Sequence, residues 1–96
     1  MSTAATLNLV DAFLIIIPAI VTIFLALRVK NSLGPLRILT SLLALFLIIH
    51  GMNHFLAFYG TQYNDAFALF FNAVLVQPLS WSVLVAFGVY YLKRAG

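Results

Sequence analysis

The chain contains no cysteine and no glutamate, and its only acids are Asp11 and Asp65. Without cysteine there are no disulfides, thiolate-held metals or cysteine-ligated iron–sulfur clusters within the chain. Without glutamate there is no His-Glu-x-x-His pattern of the helical zinc hydrolases. Charge of either sign is scarce, at 7% of 96 residues, and five Lys and Arg against two Asp give a net charge of +3. The basic residues are not spread over one face. Arg28, Lys30 and Arg37 form one cluster and Lys93 and Arg94 another. That pattern excludes a nucleic-acid-binding surface and fits contact with anionic lipid headgroups.

What fills the sequence instead is apolar residues, at 65%, with a mean hydropathy of +1.14. A soluble domain of this size cannot hide that much apolar surface. The expected fold is therefore all-α, an integral membrane protein with three transmembrane helices. Apolar runs cover about residues 7–27, 36–59 and 66–92. A helix crosses a bilayer with about 20 such residues, so each run is long enough. The whole chain, 1–96, reads as one membrane domain with no internal repeat. The start, Met1 to Ala5, carries no basic segment, so the first run is expected to stay as a span and not to be cleaved as a signal peptide.

Two short breaks separate the runs. Lys30-Asn31-Ser32-Leu33-Gly34-Pro35 is basic, and Gly60-Thr61-Gln62-Tyr63-Asn64-Asp65 is polar without a basic residue. The positive-inside rule then expects the first turn and the C-terminus in the cytoplasm and the N-terminus outside. The expected location is the cytoplasmic membrane. Phe55, Phe58, Tyr59, Tyr63 and Phe67 mark the outer boundary, and Tyr90 and Tyr91 the inner one. Asn64-Asp65 suits the N-cap of the third helix.

The basic residues also serve as a depth gauge. Asp11 lies 17 residues before Arg28, His54 lies 17 after Arg37, and Gln77 lies 16 before Lys93. At a rise of 1.5 Å per residue each sits roughly 24–26 Å from the inner charges. A polar cluster of Asp11, Asn53, His54 and Gln77 is therefore expected at one outer level, with His50 a turn deeper. An ionisable group in lipid costs about 2.5–3.5 kcal/mol, which favours a hydrogen bond from His54 or His50 to Asp11. Asp11 in a wet headgroup layer is the plain alternative.

The segment Ile49-His50-Gly51-Met52-Asn53-His54-Phe55 places two imidazoles at i and i+4, on one helix face. That spacing can offer both to one metal ion, with Asp11, Asp65 or another subunit completing the site. A haem is the other option. It would take only one of the two, because histidines one turn apart cannot occupy opposite axial positions. Structural hydrogen bonding and proton handling stay open beside ligation.

Pro18 and Pro78 each interrupt a span and free the carbonyls of Leu14 and Val74. Gln77 and Ser80 are expected to satisfy the freed groups near Pro78, where a kink is expected. Ser82 and Ala86 form a small-x-x-x-small pair suited to close helix approach.

The length, the three spans and the His-Gly-Met-Asn-His segment resemble small archaeal membrane proteins, among them the accessory subunits of archaeal ammonia monooxygenase. The resemblance covers the layout of the whole chain and rests on no diagnostic motif. It implies a copper monooxygenase complex whose chemistry belongs to other subunits. The function expected is thus a non-catalytic accessory or structural subunit of a multi-subunit membrane enzyme complex, with other transmembrane subunits and lipids as partners. The alternative is a cofactor-bearing anchor of a respiratory complex, holding haem or a metal such as copper at His50 or His54. Anchors of succinate dehydrogenase and fumarate reductase look similar, although their fuller histidine and arginine patterns are not matched.

Overall fold

A computed structural model describes residues 3–29 and 34–95, with the Ala95 side chain left aside. Lys30 and residues 31–33 of the first turn lie outside the described residues. Helix α1 spans Thr3–Arg28 and α2 spans Gly34–Gln62. The third run forms α3 (Ala66–Phe71), a π-helical segment (Asn72–Val76) and α4 (Gln77–Ala95), which follow one another without a break in the chain. No strand occurs among the described residues. Three helices, Thr3–Arg28, Gly34–Gln62 and Ala66–Arg94, are each long and apolar enough to cross a membrane. The first two outrun their apolar runs at both ends and the third at its C-terminal end, because helical hydrogen bonding continues into polar residues such as Thr3 and Gln62.

The helices stand in a row. Helix α2 is the middle member, α1 packs on one side of it and the third span on the other, and the third span does not approach α1 among the described residues. The overall extents are 48 × 23 × 17 Å. A width of 23 Å suits three helix axes side by side at the usual spacing of about 8–10 Å.

Alanines set the first contact. Ala5, Ala12, Ala19 and Ala26 are the buried residues of α1, one every seven positions. A seven-residue repeat is the seam of a left-handed helix pair, and methyl side chains let the two backbones come close. Gly51 of α2 lies against this helix, where an added Cβ would stand 3.4 Å from Ile15 Cγ2. The large apolar residues of α1, such as Phe13, Ile17 and Leu27, point outward.

The second contact uses another period. Ala68, Asn72, Val76 and Ser80 are buried, four residues apart. An α-helix turns once in 3.6 residues, so a strict four-residue row would drift off the seam. The wider π turn between Asn72 and Val76 takes up that drift. It also lies just before Pro78, whose ring would crowd the carbonyl four residues back in a regular helix. The kink expected at Pro78 is thus realised as a π turn.

Both prolines carry the same local fastening. Thr22 Oγ1 donates to the Pro18 carbonyl at 2.9 Å, and Ser82 Oγ donates to the Pro78 carbonyl at 2.7 Å. The expectation for Ser80 is corrected. Ser80 is 1% exposed and its hydroxyl finds no partner, because it faces the helix seam and not the freed backbone groups. Ser82 and Ala86, the small pair, are exposed.

The second turn is tighter than the sequence suggests, since Gly60, Thr61 and Gln62 still belong to α2. Asn64 takes a left-handed φ of 52°, and Asp65 N–H reaches back to the Gly60 carbonyl at 2.9 Å. That bond is the long closing bond of a Schellman-type helix end. Asp65 then caps α3, its Oδ1 accepting from the N–H groups of Phe67 and Ala68 at 3.1 and 3.2 Å. One short link ends one helix and starts the next.

Candidate functional site

The end of the row bearing the α2–α3 turn holds the polar side chains that contact one another. His54 is the centre. Its Nδ1–H donates to Asn8 Oδ1 of α1 at 2.9 Å. The direction of this bond follows from Asn8 itself. Asn8 Nδ2 donates to the Ala4 carbonyl, one turn back, at 3.0 Å. That fixes which way the amide faces and leaves its oxygen toward His54. A carbonyl oxygen only accepts, so the proton sits on His54 Nδ1. Neutral His54 is then the Nδ1–H tautomer, with the lone pair on Nε2 unused by this bond.

Asp11 is close but does not hold that bond. Its Oδ2 is 3.9 Å from His54 Nδ1, an ion-pair distance and too long for a hydrogen bond. The expected Asp11 hydrogen bond is corrected accordingly. Asn8 stands three residues before Asp11 on the same face of α1 and accepts the hydrogen bond instead. The Asp11 side chain is 51% exposed, which keeps the carboxylate partly solvated.

His50 lies on the other side of His54. The two rings meet edge to face, with centroids 4.9 Å apart and planes at 84°. Phe46, one turn further along α2, stacks on His50 at 5.3 Å and 14°. Trp81 of α4 completes the surround, 6.1 Å from His50 and 6.2 Å from Phe46. The pair is thus fixed from both neighbours, by Asn8 of α1 and by Trp81 of α4. Helix α2 alone touches both outer helices, which is why one stretch of it can gather all three.

Of the expected polar cluster, the structure brings together Asp11 and His54 only. Gln77 is exposed on the third span, which does not reach α1. Asn53 is buried at 9%, but its Oδ1 has no hydrogen-bond partner. Asp65 spends its carboxylate on the α3 cap. Among the described residues no group of three or more His, Cys, Asp or Glu could hold a metal ion. Asp11 Oδ2 stands beside His54 Nδ1, the ring edge that also faces Asn8.

Asn8, Phe46 and Trp81 were not legible as site residues. Asn8 had a signal, since it lies three residues before Asp11 and so shares its face. The aromatic pair had none beyond bulk.

Deeper in the layer, the α1–α2 contact leaves an open cleft of about 320 Å³ lined by Ala12, Ile15, Ala19, Leu47, Gly51 and Met52 among others. Its wall is apolar and carries no chemistry. At the opposite end, Arg28 lies 4.7 Å over the Phe24 ring and Arg94 5.4 Å over the Tyr90 ring. These cations at helix C-termini also suit the helix dipoles.

No family model matches the chain, and no curated protein and no solved structure matches it either.

Proposed function

We propose that this chain is a non-catalytic accessory subunit of a multi-subunit membrane enzyme complex. It sits in the cytoplasmic membrane with its N-terminus outside and its C-terminus in the cytoplasm. The row of helices carries the reading. A membrane enzyme that works alone closes its helices around a site. Here the middle helix α2 has only 6% of its most apolar window buried, and the outer two have 17% and 22%. Both flat sides of the row are open, and the side-chain hydrogen bond between helices described above is that of His54 with Asn8. Such a layer adds surface to a larger assembly and encloses no substrate. The basic residues support the orientation, since Arg28, Arg37, Lys93 and Arg94 gather at one end and Asp11 and Asp65 toward the other. The resemblance to accessory subunits of archaeal ammonia monooxygenase makes a copper monooxygenase the first complex to look for.

Purification from native membranes in mild detergent tests the assignment. Recovery with the same membrane subunits at fixed stoichiometry supports it, and migration as a lone chain overturns it. The absence of cysteine makes the orientation simple to read. Thr61→Cys should react with an impermeant maleimide in intact cells, and Lys93→Cys only after permeabilisation. The reverse pattern inverts the topology.

A further inference from the structure

We propose that His50 and His54 form a two-imidazole half-site for a d10 transition-metal ion, zinc(II) or copper(I). Three observations carry it. The first is the tautomer. His54 donates Nδ1–H to Asn8 Oδ1, and Asn8 is itself held by the Ala4 carbonyl. A histidine whose Nδ1–H is spent on an oxygen presents Nε2 as the ligating atom, the usual arrangement behind metal-bound histidines. Asp11 Oδ2, at 3.9 Å from the same Nδ1, adds a negative charge behind the ring and strengthens it as a donor.

The second is distance. A metal–nitrogen bond of about 2.0–2.1 Å places each imidazole centroid roughly 3.2 Å from the ion. Two rings at a near-tetrahedral angle then have centroids about 5 Å apart. The observed separation is 4.9 Å, with the planes nearly perpendicular. That centroid separation is compatible with two imidazoles on one ion.

The third is rigidity. His50 is stacked on Phe46 and bounded by Trp81, so neither ring is free to leave the pair without breaking a contact. Supported ligands lose less freedom on binding.

The donor set selects the ion class. Two neutral nitrogens with no thiolate suit zinc and copper better than magnesium or calcium, which prefer oxygen. The half-site leaves positions for water or for a ligand from an adjoining subunit. It stands whether or not the accessory-subunit reading holds, because the isolated chain is enough to test it.

Untagged protein in mild detergent is titrated with zinc(II), and with copper(I) under reducing conditions. One ion per chain is expected with at least one of the two, and X-ray absorption should show nitrogen scatterers at about 2.0–2.1 Å. His50→Ala and His54→Ala should each abolish that equivalent. Asn8→Leu keeps both ligands but loses the support, and affinity should fall about 10–100-fold, as for other residues behind a ligating histidine. Trp81 fluorescence in the apo form checks that each variant is folded. No binding of either ion by folded wild-type protein overturns the half-site. Equal binding by the folded double histidine variant does the same. A haem band that depends on His54 but not on His50 overturns it too.

Discussion

Replacing Gly60 with alanine should loosen the contact between α2 and the third span. Gly60 lies in the last turn of α2, beside the turn into α3. A Cβ there would stand 2.6 Å from Leu69 Cγ and Cδ2 and 3.3 Å from the Asp65 carbonyl. Two terms oppose one another. Alanine is favoured over glycine inside a helix by about 0.8–1.0 kcal/mol. Overpacking a tight contact costs about 1–3 kcal/mol. The balance is a net loss of about 0–2 kcal/mol, and its sign depends on how far Leu69 can swing. The decisive experiment is therefore a double-mutant cycle. With Leu69→Ala the steric partner is gone, and Gly60→Ala should become stabilising by about 1 kcal/mol. The coupling between the two positions should then be about 1–3 kcal/mol. Trp81 is the single tryptophan and sits on the α2–α4 contact, 6.1 Å from His50. Its emission reports separation of those helices as SDS is added to mild-detergent micelles. A coupling below about 0.5 kcal/mol would refute the close approach at Gly60.

Three further outcomes follow from single contacts. In wild-type protein, ¹⁵N spectra should show His54 as the Nδ1–H tautomer. Asn8→Leu removes the acceptor, and the signal should move toward the Nε2–H form, with a loss of about 1 kcal/mol in stability. An unchanged tautomer would mean that Asn8 does not hold the ring. Asp65→Ala deletes the cap of α3 and should cost about 0.5–2 kcal/mol in the same SDS assay, while Asp65→Asn should retain most of it. Ser80→Ala should be neutral or stabilising, because its buried hydroxyl has no partner to lose. A loss above about 1 kcal/mol would show that a water or another group satisfies Ser80.

The three spans were legible because hydropathy and length are properties of the sequence itself, and a bilayer demands both. The N-cap at Asp65 was legible because a carboxylate before an apolar run has few other uses. The π turn was not. Pro78 signalled a disturbance, but a proline can bend a helix, break it or be absorbed by a wider turn. Which occurs depends on the row Ala68, Asn72, Val76 and Ser80 staying on α2, a tertiary demand that no local window contains. The alanine heptad of α1 was readable by position, yet in an apolar segment alanine carries little hydrophobic contrast. Only its regular spacing, found again as burial, marks it as the seam.

The candidate site divides along the same line. Counting residues from the basic ends gives depth, because a helix rises by a fixed step. Depth correctly put Asp11 and His54 at one level, and it put Gln77 there as well. It says nothing of azimuth. Azimuth depends on which helices touch, and in a row the outer two do not. Gln77 is thus separated from Asp11 by the whole of α2, whatever its height. The same geometry explains why Asn8 and not Asp11 accepts the His54 hydrogen bond. The two residues share a face and differ by less than one helical turn, about 4.5 Å along the axis at three residues' rise. Within that interval the winner is set by which backbone carbonyl can lock its partner. Asn8 is locked by Ala4, and its amide becomes a fixed acceptor. Asp11 is half exposed and keeps its solvent. The half-buried His54 therefore bonds to the acceptor already held in place over the one that carries more charge.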